Sequence, residues 1–115
     1  MDLNHLHLHV GDIDRARQFY ETYLEFREQV RHGRILFLRN PHGFDLALAP
    51  EAQKEPFPDW FHFGFRLDSA DSVRALHGRM KFEGVTIAKP LYEDEELVSF
   101  QCSDPDGHRI EIYWE

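Results

Sequence analysis

Cysteine is nearly absent: Cys102 is the one thiol in 115 residues, so no internal disulfide can staple the fold, and a reducing, cytoplasmic setting suits the chain. Basic residues are also few. Thirteen Lys and Arg stand against 21 Asp and Glu, a formal charge of -8, which opposes nucleic acid or an anionic membrane as partner because both attract basic patches. No apolar run approaches the roughly 20 residues of a membrane span, and the first residues lack the basic-then-apolar order of an export signal. Stability must come from a core, and 42% hydrophobic residues, ten of them Phe, can fill one at this length. What the chain has in excess is histidine: eight in all, with His5, His7 and His9 alternating.

The sequence repeats itself. LNHLHLHV at 3–10 aligns with WFHFGFRL at 60–67, an offset of 57 residues, and NPHGFDLALA at 40–49 aligns with DPDGHRIEIY at 104–113, an offset of 64. The first pair reads as alternating strands entering a helix, the second as Pro-Gly turns followed by alternating strands. Between them, Ile13, Ala16, Tyr20, Tyr23 and Leu24 mark one helical face, and Val73, Leu76 and Met80 another. Asp12 and Asp68 are the expected N-caps, and Gly84 the left-handed residue that ends the second helix. The seven additional residues of the second half are assigned to the acidic stretch 92–97, as a solvated loop or a lid. A proline-rich linker over about 50–58 separates module one, about 1–49, from module two, about 59–115, within a single domain. Each half reads as a strand, a helix, then two or three strands, so the expected class is α+β.

Side chains alternate along a strand, so the apolar side of each belongs under its helix and the other side is free for chemistry. Leu6, Leu8 and Val10 take the helix side of the first strand and leave His5, His7 and His9 open. Phe61, Phe63, Phe65 and Leu67 do the same for the matching strand, leaving Trp60, His62, Gly64 and Arg66. In the last strand Arg109, Glu111 and Tyr113 oppose Ile110, Ile112 and Trp114. His62 is then the repeat mate of His5, and Glu111 that of Ala47. If the halves pair about a twofold axis, two imidazoles and one carboxylate converge. That set holds Fe(II), Mn(II), Zn(II) or Ni(II), one ion per site, with positions left for water or substrate.

The segments LNHLHLHVGDIDRARQFYETYLEF, DWFHFGF and SFQCSDPDGHRIEIYWE resemble the vicinal oxygen chelate superfamily, which includes glyoxalase I, bleomycin-resistance proteins, fosfomycin-modifying thiol transferases and extradiol dioxygenases. The resemblance covers nearly the whole chain. It implies an α+β fold of two βαβββ modules paired by a pseudo-twofold axis, with curved mixed sheets around a central metal site, metal ligands at His5, His62 and Glu111, and a homodimer with the site near or across its interface. It also marks departures. Glyoxalase I carries a fourth ligand where this chain has Ala47. The fosfomycin-modifying relatives carry a threonine where this chain has His7, a tyrosine where it has Gln101, and a potassium loop that is not evident here. Extradiol dioxygenases likewise carry a tyrosine at the position of Gln101. Bleomycin-resistance proteins bind their drug without metal, so sequestration of a small molecule in a cleft lined by Phe37, Trp60 and Tyr113 stays open as the alternative to catalysis.

For the catalytic reading, His7 lies two residues beyond a ligand on the same face and is the candidate general acid or base, with Tyr113 in the same relation to Glu111. Arg66 and Arg109 are candidate two-pronged contacts to an anionic group of the substrate, and Phe37, Trp60 and Gln101 complete the expected substrate contacts. His9 is a candidate for orienting a ligand. His32, His42, His77 and His108 are read as solvated, and Cys102 has no basic neighbour that would make it a nucleophile.

Overall fold

Strict alternation in the first strand survives folding: Leu8 and Val10 are buried, whereas His5, His7 and His9 are exposed. The computed structural model describes residues 1–51 and 57–115, and its contacts divide the chain into two compact units, Met1–Pro56 and Phe57–Glu115. Most of the expected linker lies outside the described residues. In the first unit β1 (His5–Val10), α1 (Ile13–Tyr23), β2 (Arg27–His32), β3 (Ile35–Arg39) and β4 (Asp45–Pro50) follow in order. In the second come β5 (Phe63–Arg66), α2 (Ala70–Phe82), β6 (Ile87–Glu93), β7 (Val98–Ser103) and β8 (Arg109–Trp114). The sheets run β1-β4-β3-β2 and β5-β8-β7-β6, one parallel pair and two antiparallel pairs in each. The class is α+β, built from two modules of identical topology.

Register carries the repeat into three dimensions. His7 pairs with Ala47 and Gly64 with Glu111; Phe37 pairs with Ala47 and Gln101 with Glu111. The offsets of 57 and 64 read from the sequence convert each of these pairs into its mate. The turns match as well. Asn40 Oδ1 accepts from the backbone N–H of His42 and Phe44 at 3.0 and 2.9 Å, and Asp104 Oδ1 accepts from those of Asp106 and His108, both at 2.9 Å. Gly43 and Gly107, with φ of 82° and 87°, close the two turns. An Asx side chain that captures two N–H groups, a following proline and a left-handed glycine specify the same bend twice.

Each helix covers one face of its own sheet, α1 over β4 and α2 over β6, β7 and β8. Ala16, Phe19 and Tyr20 of α1 and Val73 and Met80 of α2 are buried; Phe19 belongs to the buried face in addition to the expected set. Asp12 caps α1 by accepting from Arg15 N at 3.1 Å, but Ser69, not Asp68, caps α2, accepting from Ser72 N at 3.1 Å. The helix begins at Ala70, and only the residue immediately before it can reach back to the free N–H groups of the first turn. Gly84, at φ 83°, ends α2: its N–H donates to Lys81 O and that of Val85 to Met80 O, the paired closure that a left-handed residue permits.

Two other expectations change. The additional length of the second module is shared: α2 has 13 residues against 11 in α1, the connection after the helix is one residue longer, and the other four lie in the β6–β7 hairpin. The acidic turn of that hairpin is a bonded structure. Asp94 accepts from the N–H of Glu96 and of Leu97, each at 2.8 Å, and from the Tyr92 hydroxyl at 2.8 Å, and the two N–H groups and the hydroxyl hold its carboxyl below the usual range. His108, read as solvated, is 3% exposed, since its N–H is needed by Asp104 and its ring lies against Phe57 at 5.6 Å.

Asp104→Ala strands two backbone donors and should lower unfolding free energy by about 2 kcal/mol in a denaturant titration, whereas Asp104→Asn, the residue the first module uses, should retain most of it. Burial in β7 pushes the Cys102 thiol up to about 12, so it stays protonated at pH 8. Iodoacetamide should leave the native protein unmodified at that pH and label it once it is unfolded.

Candidate functional site

Cross-strand partners present their side chains on the same face of a sheet. In the first unit one row reads His7, Ala47, Phe37, and in the second the corresponding row reads Gly64, Glu111, Gln101. Bulk has been exchanged within the row, an imidazole beside a methyl group in one module and a bare backbone beside a carboxylate in the other. A Cβ at Gly64 would stand 3.2 Å from Glu111 O and 3.4 Å from its Cβ. The glycine thus leaves open the space along the Glu111 side chain.

His62 lies just before β5 and reaches the same carboxylate: its Nε2 is 3.4 Å from Glu111 Oε2. Its other nitrogen, Nδ1, is 3.2 Å from the backbone carbonyl of Trp60. A carbonyl oxygen only accepts, so Nδ1 carries the proton, and in the neutral ring Nε2 then holds a lone pair. That lone pair faces a carboxylate. Two acceptors at this separation repel unless a cation, either a proton on Nε2 or a metal ion, neutralises them.

His5, in the first unit, is exposed and held in the same sense, with Nδ1 2.8 Å from Asn4 Oδ1 and Nε2 left as the acceptor. Its cross-strand partner is Asp45, which Arg39 grips at 2.7 and 3.2 Å. That guanidinium, aided by the nearby His5, keeps the Asp45 carboxyl below its usual range. His7 stands one row along β1, its ring edge-on to His9 at 5.4 Å, and His9 Nε2 faces Glu51 Oε2 at 3.4 Å.

The structure therefore brings His62 and Glu111 together. Among the described residues no group of three His, Cys, Asp or Glu side chains is arranged to hold a metal ion. Tyr113 is half-buried and pairs in register with Arg66, which donates to the Glu115 carbonyl, while Arg109 lies 3.6 Å from Asp59. Trp60 is largely exposed and packs edge-on to Phe61; Phe37 is half-buried with its ring against His32 at 5.6 Å. Gln101 is buried, and its Oε1 has no hydrogen-bond partner among the described residues. Sequence reasoning missed the two groups that fix the imidazoles. Asn4 gave a weak signal by preceding His5, and the Trp60 carbonyl gave none, because every residue has one.

The family model of the Glyoxalase/Bleomycin resistance protein/Dioxygenase superfamily matches residues 2–112. An uncharacterized protein of Pseudomonas aeruginosa is 32% identical, over 96% of this chain and 86% of its own length. The glutathione transferase FosA of Serratia marcescens is 30% identical over 96% of this chain and 79% of its own. Among solved structures, a possible glyoxalase from Bacillus cereus superposes with a TM-score of 0.84 at 29% identity, covering 97% of both chains. A relative of this chain is thus an enzyme, and no helix among the described residues is long and apolar enough to cross a membrane. With a family model spanning nearly all its residues and the repeated module in both halves, the chain belongs to the Glyoxalase/Bleomycin resistance protein/Dioxygenase superfamily.

Proposed function

We propose that this protein is a metal-dependent enzyme whose one divalent ion is held by His5, His62 and Glu111 and whose small substrate chelates that ion through neighbouring oxygens. The observation that carries the reading is the pairing of His62 Nε2 with Glu111 Oε2 at 3.4 Å, while Nδ1 is committed to a carbonyl. Both histidines present Nε2 with its lone pair, and the carboxylate lies beside a glycine, so the donor set fits Fe(II), Mn(II), Zn(II) or Ni(II). The similarity to a glutathione transferase supports an enzyme over a sequestering protein.

When bound, such an ion acts as a Lewis acid toward the chelated oxygens. The chain's own residues do the rest. His7 is the general acid or base, since it is exposed on the face that carries His5 and an imidazole can both accept and donate a proton. Tyr113, two residues from Glu111 on the same strand face, supplies a hydroxyl donor. Arg66 and Arg109 are offered to an anionic group of the substrate, and Phe37 and Trp60 to its apolar part. The module pair forms one domain, and the assembly is a cytoplasmic homodimer.

The His62–Glu111 pair is partly solvated, with side chains 37% and 31% exposed, so its contribution to stability should be small, below about 1 kcal/mol. Glu111→Gln should therefore unfold within that margin of the wild type. The same substitution, like His5→Ala and His62→Ala, should lose most of the one equivalent of metal that elemental mass spectrometry finds in untagged protein purified anaerobically. Full metal content in Glu111→Gln would sink the assignment. Mixing His5→Ala with Glu111→Gln protein tests the assembly: recovery of metal on mixing means that a site draws ligands from two chains.

A further inference from the structure

Gln101 sits in the middle of β7, directly opposite Glu111, which in turn lies opposite Gly64. The residue is 6% exposed, and Oε1 is sealed from solvent without a hydrogen-bond partner among the described residues. A buried amide oxygen left unpaired weakens the folded state, because its bonds to water are given up for nothing. The fold does not require an amide at this place: the repeat-related position in the first module is Phe37. The cross-strand register puts the Cβ atoms of Gln101 and Glu111 about 5 Å apart on one face, and the residue on the far side of Glu111 has no side chain to claim the space.

We infer that Gln101 is a specificity-determining residue, whose Oε1 accepts a hydrogen bond from a substrate held at Glu111. The substrate class follows from what a bare acceptor needs. It is a small molecule bearing a free hydroxyl next to its chelating oxygen, as in a 2-hydroxy acid, in preference to an oxygen pair without a proton, as in an ether. A site built to pair with a hydroxyl discriminates strongly against the analogue that lacks it, since the buried acceptor is then left unpaired. The inference rests on the reading above in placing the ligand at Glu111.

The test uses full-length protein loaded with Zn(II) and two probes, glycolate and methoxyacetate, which offer the same oxygen pair with and without the hydroxyl proton. Calorimetric titration should show wild type favouring glycolate, and Gln101→Leu should reduce that preference about tenfold while keeping its zinc. Metal-free Gln101→Leu should melt above metal-free wild type, because an unpaired buried acceptor has been replaced by an apolar group of similar size. Gln101→Met repeats both measurements with an unbranched chain. A preference unchanged in both variants, or variants that melt below wild type, overturns the inference. If wild type takes up no zinc, the metal reading fails by itself. The same two probes on metal-free protein then decide the role of Gln101, and equal or absent binding overturns it.

Discussion

The parallel pairing of the first and last strands of each module is the constraint on which the rest depends. In a parallel pair without a bulge, one register fixes every neighbour along both strands, and here β1 pairs with β4, and β5 with β8, in registers that the internal repeat converts into one another. Because a one-residue slip would send every side chain to the opposite face, the helices that bury Leu8, Val10, Ile110 and Ile112 simultaneously force His5, His7 and Glu111 to the other side. Core formation and the presentation of polar side chains are two results of one pairing. The Asx turns at Asn40 and Asp104 reinforce it, since they set the point at which the chain enters the final strand of each module.

Duplication gives two copies of a row, and the chemistry lies in how they have diverged. One copy keeps His7, Ala47 and Phe37; the other keeps Gly64, Glu111 and Gln101. The carboxylate and the amide are on the same copy, and the glycine leaves room along the carboxylate. His62, with its proton committed to a backbone carbonyl, turns its lone pair toward Glu111. None of this contributes much to folding, and an amide oxygen left unpaired among the described residues works against it. The cost of such arrangements is usually carried where a ligand removes it.

Much of this was legible in the sequence, for a physical reason. Period-two alternation in LHLHV and RIEIYW and the two Pro-Gly turns are local patterns, so strands, faces and the repeat could be read from composition at fixed spacing. Helix ends were less legible. Asp68 and Ser69 are both competent caps, and the choice between them depends on where the helix begins. His108 looked solvated because it follows a turn, but burial there is decided by Asp104, whose two accepted N–H groups pull the turn inward, and by Phe57 across it. The tautomer of His62 was beyond sequence reasoning, since it is set by a carbonyl. The burial of Gln101 was also hidden, because alternation assigns it to the polar face shared with Glu111 and gives no measure of how much of that face is covered.

The central claim is that His62 and Glu111 face each other as joint ligands of one metal ion, completed by His5. X-ray absorption at the zinc edge of the loaded protein tests it most directly. The account predicts a first shell of nitrogen and oxygen at about 2.0–2.2 Å, with outer-shell scattering from two imidazoles that drops to one in the residual zinc that His5→Ala and His62→Ala retain at saturating zinc. A sulfur shell, or imidazole scattering unchanged by either substitution, would contradict it.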